Sequence, residues 1–242
     1  MIYLKKCLLL LVLVFIVGCS SATGKQTQEE KGLINYSKNF PEFAIKDDNV
    51  QNAQPAIFYA YANQLFGQDK KDEAVFWFYL GQFRVRYIER VQKRNIPIDT
   101  MTFIRFFRES GFVGNVNVVE PNGQIVSSPS SNPEYAKINS YYSGATYDNI
   151  YRAGSGLGEI INPYAFQNVD KHIARVDAII AYEKEHPINV ENIVAKDNLL
   201  PEVDRKRIKE EEYKAFEKFK QYLIDNKEDI RKKRAENGLL NE

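Results

Sequence analysis

Residues 55–95 read PAIFYAYANQLFGQDKKDEAVFWFYLGQFRVRYIERVQKRN, and this stretch decides the fold. Pro55 suits a first helical turn, where its missing N–H costs nothing. Phe58, Tyr61, Ala62 and Leu65 then recur at helical spacing. Gly67 to Lys71 is polar and breaks the pattern, and Asp72 is placed to cap a second helix. On that helix Ala74, Phe78, Gly81, Val85 and Ile88 form a stripe with steps of four and three. Two helices joined by so short a connection are antiparallel neighbours, so the expectation is a helical hairpin packed through its small residues.

The residue types along the hairpin resemble one tetratricopeptide or Sel1-type repeat. Phe58, Tyr61, Ala62 and Leu65 match the first helix of such a unit, and Ala74, Phe78 and Gly81 match the second. No second copy follows at a period near 34, so a regular solenoid is not expected.

Outward from the hairpin, a short aromatic helix is expected over Asp99 to Glu109, stopped at Gly111. The pattern then changes. Val116 to Val119, Pro121-Asn122-Gly123 and Gln124 to Val126 read as a small β-hairpin around an Asn-Gly turn, followed by a serine- and proline-rich loop over Ser127 to Pro133. The whole segment 112–133 is an irregular insertion in a helical protein. Glu134 to Tyr147 reads as a short helix, Ala153 to Gly158 as a tight interhelical turn, and Tyr164 to Glu185 as one helix ending before Pro187. Asn189 to Lys196 is expected to form one or two turns. Pro201 opens the longest helix, 201–236, with Ile208, Ala215, Phe216, Phe219 and Leu223 on its apolar face. The fold class is therefore all-α, built from helical hairpins, with one β-hairpin insertion in a domain covering 33–242.

The first 32 residues stand apart. Lys5 and Lys6 precede an unbroken apolar run from Leu8 to Val17, too short to span a bilayer comfortably. The run ends in Ile16-Val17-Gly18-Cys19. This resembles the lipobox of bacterial lipoproteins, which implies that 1–18 is a signal peptide and that Cys19 is acylated and becomes the first mature residue. Ser20, where an aspartate retains such proteins in the inner membrane, implies the outer membrane, with the body facing the periplasm. Residues 19–32 are polar and aperiodic and read as a flexible tether with a reach of roughly 20 Å. Cys7 leaves with the signal and Cys19 carries lipid, so no thiol remains for a disulfide, a metal or a nucleophile. Loss of Lys5 and Lys6 shifts the net charge from +1 to −1, which argues against a nucleic-acid binder.

Chemistry-bearing motifs are sparse. Gly154-Ser155-Gly156-Leu157-Gly158 fits neither a nucleophile elbow nor a dinucleotide fingerprint, and no lysine follows it closely. His172 and His186 are the only histidines and are too isolated for a metal site or a triad, so both read as surface or half-buried structural residues. Asp47-Asp48 and Glu210-Glu211-Glu212 lie in strongly polar segments and read as solvated. No cofactor and no metal are expected, and the protein is not expected to be an enzyme. The sharper feature is Arg84, Arg86, Tyr87 and Arg90 on the second helix of the hairpin. Arginine and tyrosine are enriched at binding hot spots, which makes these four candidates for contact with a protein partner. The same residues suit a core in which arginines stack on aromatics, and both can hold on opposite faces of one helix.

A lipid tether with a helical interaction domain resembles the immunity lipoproteins that guard bacteria against periplasmic phospholipase effectors of type VI secretion. That resemblance implies a secreted toxin effector as the partner. The alternative is a structural or assembly lipoprotein of an envelope secretion or pilus machine.

Overall fold

The computed structural model describes residues 56–93, 100–101, 103–104, 115–129, 139–143 and 145–239. The signal, Cys19, the tether and the lead-in to the hairpin lie outside them, as does most of the expected 99–109 helix. Among the described residues the fold is mainly α-helical with one small sheet.

Helices α1 (Ala56–Gly67) and α2 (Lys71–Val91) form the expected hairpin. Every residue of the α2 stripe, from Ala74 to Ile88, is buried. The antiparallel approach is close at Gly81, where an added Cβ would sit 3.0 Å from Phe58 Cβ and 3.2 Å from the Tyr59 ring. Between the helices Asp69 takes the left-handed conformation, φ 66°, and Lys70 N–H donates to Leu65 O at 2.9 Å. Aspartate tolerates that conformation better than most residues. Asp72 does not cap α2. The cap position is Lys70, with no side-chain bond, and Asp72 lies in the first turn. Its carboxylate is taken instead by Lys171, Arg175 and the Tyr164 hydroxyl.

The insertion is more integral than a loop. Strands β1 (Asn115–Val119) and β2 (Ile125–Ser128) pair antiparallel, with Val119 opposite Ile125 and Val116 opposite Ser128. Gly123 at φ 83° and the Asn122 side chain, which accepts from Gln124 N–H, close the turn that Asn-Gly announces. Ser127 and Ser128 belong to β2 rather than to a loop. The short helix expected over 134–147 is corrected: Asn139–Ser143 is β3, parallel to β1, giving the order β2-β1-β3. The adjacent Tyr141 and Tyr142 favour a strand over a helix. Val116 and Val118 point into the core, and Phe103 meets Tyr142 edge to face.

Helix α3 (Tyr147–Ala165) starts at Thr146, whose hydroxyl accepts from Asn149 N–H. It runs straight through Gly154 to Gly158, so the glycine-rich segment is helix interior and not a turn. One reason lies at Gly158, where a Cβ would meet Phe78 of α2 at 3.3 Å. The single helix expected over 164–185 is two: α3 ends at Ala165, and Asn168 caps α4 (Val169–Glu185) by accepting from Lys171 N–H. Two short 3-10 turns, Val190–Asn192 and Lys196–Asn198, follow as expected. This connection is pinned to the end of α2, since Lys93 N–H donates to Asn198 O and Leu200 N–H to Val91 O, both at 2.8 Å. The long C-terminal helix is broken at Asn226 into α5 (Glu202–Asp225) and α6 (Lys227–Glu236). On α5 Ile208, Phe216, Phe219 and Leu223 are buried, and Ala215 is half-buried. Helix α2 is central, packed by α1, α3, α4 and α5.

Candidate functional site

The four residues singled out on α2 face into the fold more than out of it. Arg84 is fully buried. Its Nε donates to Glu183 Oε2 at 2.7 Å, a terminal nitrogen donates to His186 O at 2.6 Å, and its guanidinium lies 4.9 Å from the centre of the Phe58 ring. Tyr87 is buried as well. Arg86 pairs with Glu212 at 3.1 Å, and Arg90 bonds both Glu212, at 2.5 Å, and Glu211. Arg84 and Tyr87 therefore serve packing between α2, α4 and α5, and only Arg86 and Arg90 reach the surface, each held to a carboxylate.

Two residues essential to this cluster are Glu183 and Glu212, both fully buried. Glu212 thereby corrects the reading of Glu210 to Glu212 as solvated. Each was signalled by position rather than by type. Glu183 extends the stripe Val176, Ile179, Ile180 of α4, and Glu212 fills the gap between Ile208 and Phe216 on α5. A carboxylate at a core-facing helical position implies a buried cation opposite it. Glu183 also accepts from the Lys209 amine and, at 3.0 Å, from Ile188 N–H.

Lys209 leads to a groove of about 420 Å³ lined by Tyr87, residues 187–191, and Glu202, Arg205, Lys206 and Lys209 on one face of α5. The Lys209 amine sits 4.4 Å from the Tyr87 ring centre and 5.4 Å from that of Phe83. Burial pulls its pKa below the usual lysine value, against the opposing pull of Glu183. Burial likewise pushes the Tyr87 and Tyr213 hydroxyls up. The other groove cations are also paired, Arg205 with Glu191 at 2.7 Å and Lys206 with Glu202 at 2.6 Å. The groove is thus lined by one aromatic ring and by cations that are already paired.

The two histidines occupy different surroundings. His172, expected at the surface or half-buried, is fully buried among aromatic rings. Its apolar neighbours at spacings of three and four, Val169 and Val176, were the signal that it faces inward. His186 is partly exposed, 4.5 Å from Tyr182 ring to ring. Among the described residues no group of three His, Cys, Asp or Glu side chains could hold a metal ion, and no helix is long and apolar enough to cross a membrane. Compared with protein-family models, curated proteins and solved structures, the chain matches none of them.

Proposed function

We propose that the chain is a lipoprotein anchored through Cys19 in the outer membrane, facing the periplasm, and that its helical body binds another protein. The observation that carries this reading is the apolar run ending in Ile16-Val17-Gly18-Cys19, followed by a polar tether and then a patterned helical hairpin. One lipid chain alone holds a protein marginally, whereas the several acyl chains of a mature lipoprotein anchor it stably. The hairpin α1–α2 acts in this reading as a single tetratricopeptide-like unit. The partner is a secreted toxin effector, a phospholipase in the leading version, and the protein is an immunity factor that occludes its active site.

Two surfaces support a binding role. One is the groove beside Tyr87, with Arg205 and Lys206 at its rim. The other is the tip of the β1–β2 hairpin, where Pro121 to Ile125 is exposed and Ile125 presents an apolar side chain to solvent. Exposed loop tips on a rigid scaffold are where recognition residues concentrate.

The test is competition between sister cells. Cells lacking the protein are killed by a periplasmic effector from neighbours that carry it, and protection requires about one copy per toxin. Protection at far below equimolar amounts points to catalysis, and recovery of the protein within a multisubunit envelope complex, without any killing phenotype, points to an assembly role.

A further inference from the structure

Helix α4 buries two titratable side chains, the ion-paired Glu183 and, among aromatic rings, His172. His172 is fully buried, and its ring centre lies 5.0 Å from that of Tyr79 on α2, 5.1 Å from Phe166 in the α3–α4 turn and 5.5 Å from Phe219 on α5. Neither Nδ1 nor Nε2 has a hydrogen-bond partner. An apolar side chain would fill the cage without leaving a buried donor and a buried acceptor unsatisfied.

Among the described residues no carboxylate acts on this ring. On α4 the charge acting on it is Arg175, itself bonded to Asp72 of α2, which also takes Lys171. The Tyr79 hydroxyl donates to Asn162 of α3 at 2.9 Å, and the Tyr164 hydroxyl of α3 goes to Asp72. From α5 Lys220 pairs with Asp177, and from α6 Lys227 and Arg231 hold Asp170. Helix α1 and the turn at 166–168 carry no charged residue.

We propose that His172 is a proton-operated latch. While the imidazole is neutral, α5 and α6 stay closed on α4 and α2, and a proton can be accepted only when that layer parts. Burial, with Arg175 adding to it, holds the closed-state pKa at about 3, against 6.5 for an ordinary histidine. The open state therefore binds the proton more readily throughout that interval. The closed state keeps its full stability above about pH 6.5 and loses it as the pH falls. Each unit below 6.5 multiplies the open-to-closed ratio about tenfold. Protonation of Asp170 is not what drives the opening, because the Lys227 hydrogen bond holds its carboxyl below the usual carboxylate range. Opening uncovers the buried face of α5 formed by Phe216, Phe219 and Leu223.

Hydrogen exchange on the full, detergent-extracted chain from pH 7.5 to 4.5, corrected for intrinsic rates, reads the latch directly. Opening of 202–236 rises about tenfold per unit below pH 6.5 while α1 and α2 stay protected. His172→Leu flattens that slope, and His186→Gln leaves it unchanged. The same slope in His172→Leu, or loss of protection in α1 and α2 in step with α5, overturns the latch. Should the leucine variant not fold, the nitrogen resonances of His172 in the unmodified protein decide. A ring still neutral below pH 5 in the closed protein supports the latch, and titration near 6.5 in the closed protein overturns it.

Discussion

Arg84 and Glu183, ninety-nine residues apart in the chain, meet Nε to Oε2 at 2.7 Å with neither side chain exposed. Glu183 is shared further with Lys209 and Ile188 N–H, so two cations and one amide depend on a single carboxylate. Breaking a buried pair by removing one partner costs about 3–5 kcal/mol, because the charge left behind is uncompensated. Glu183→Gln strands both Arg84 and Lys209 and should show that full loss in denaturant unfolding. Arg84→Met should cost less, since Glu183 keeps Lys209 and Ile188. The reverse order of midpoints would mean that Arg84, not Glu183, organises the cluster.

Glycines in two helices make a contrasting pair. At Gly81 a Cβ already crowds Phe58 Cβ at 3.0 Å, so Gly81→Leu overpacks the α1–α2 contact and should cost about 1–3 kcal/mol or more. At Gly156 nothing lies within 4 Å of a built Cβ and the residue sits inside α3. Gly156→Ala should stabilise by about 1 kcal/mol through helix propensity alone. Thermal midpoints moving in opposite directions are the expected result, and an unchanged midpoint for Gly81→Leu would contradict the close approach.

These glycines also show how far the sequence could be read. The α1–α2 hairpin was legible because aromatic and small residues recur at helical spacing from Phe58 to Ile88, and an Asn-Gly pair between two short β-branched runs announced β1 and β2. The segment 153–158 was misread because glycine content signals a turn locally, whereas the tight packing of Gly158 on Phe78 comes from a helix eighty residues earlier. Strand β3 was missed because a parallel pairing to β1 leaves no local turn to mark it. The candidate site suffered in the same way. Sequence left Arg84 open between a surface anchor and a core residue stacked on aromatics, because its partner Glu183 lies in a run of charged residues whose inward-facing register shows only once α4 is placed against α2.

Cys19 is the anchor in the proposed function. Cys19→Ala should abolish incorporation of labelled palmitate and leave the protein in the soluble periplasmic fraction or unprocessed. Equal labelling of variant and unmodified protein would remove the lipobox reading and the outer-membrane location with it.

Partner contact can be separated from folding only with residues that the core does not need. Arg84 and Tyr87 fail that requirement, since one is the buried end of an ion pair and the other packs against Lys209. Lys206 and Ile125 meet it. Lys206 is exposed at the groove rim and pairs with Glu202 one turn away, a solvent-screened surface contact that contributes little to stability. Ile125 is half-exposed at the hairpin tip, with its neighbour across the turn, Val119, holding the register. Lys206→Glu reverses the charge at the rim and Ile125→Asp places a charge where the tip is apolar, and each should leave the thermal midpoint within about a degree or two of the unmodified protein. If the partner seats on the groove, Lys206→Glu weakens its binding at least tenfold and Ile125→Asp does not. If it seats on the hairpin tip, the order reverses. A partner that binds both variants as tightly as the unmodified protein uses neither surface, which would move the interface to the outer faces of α5 and α6.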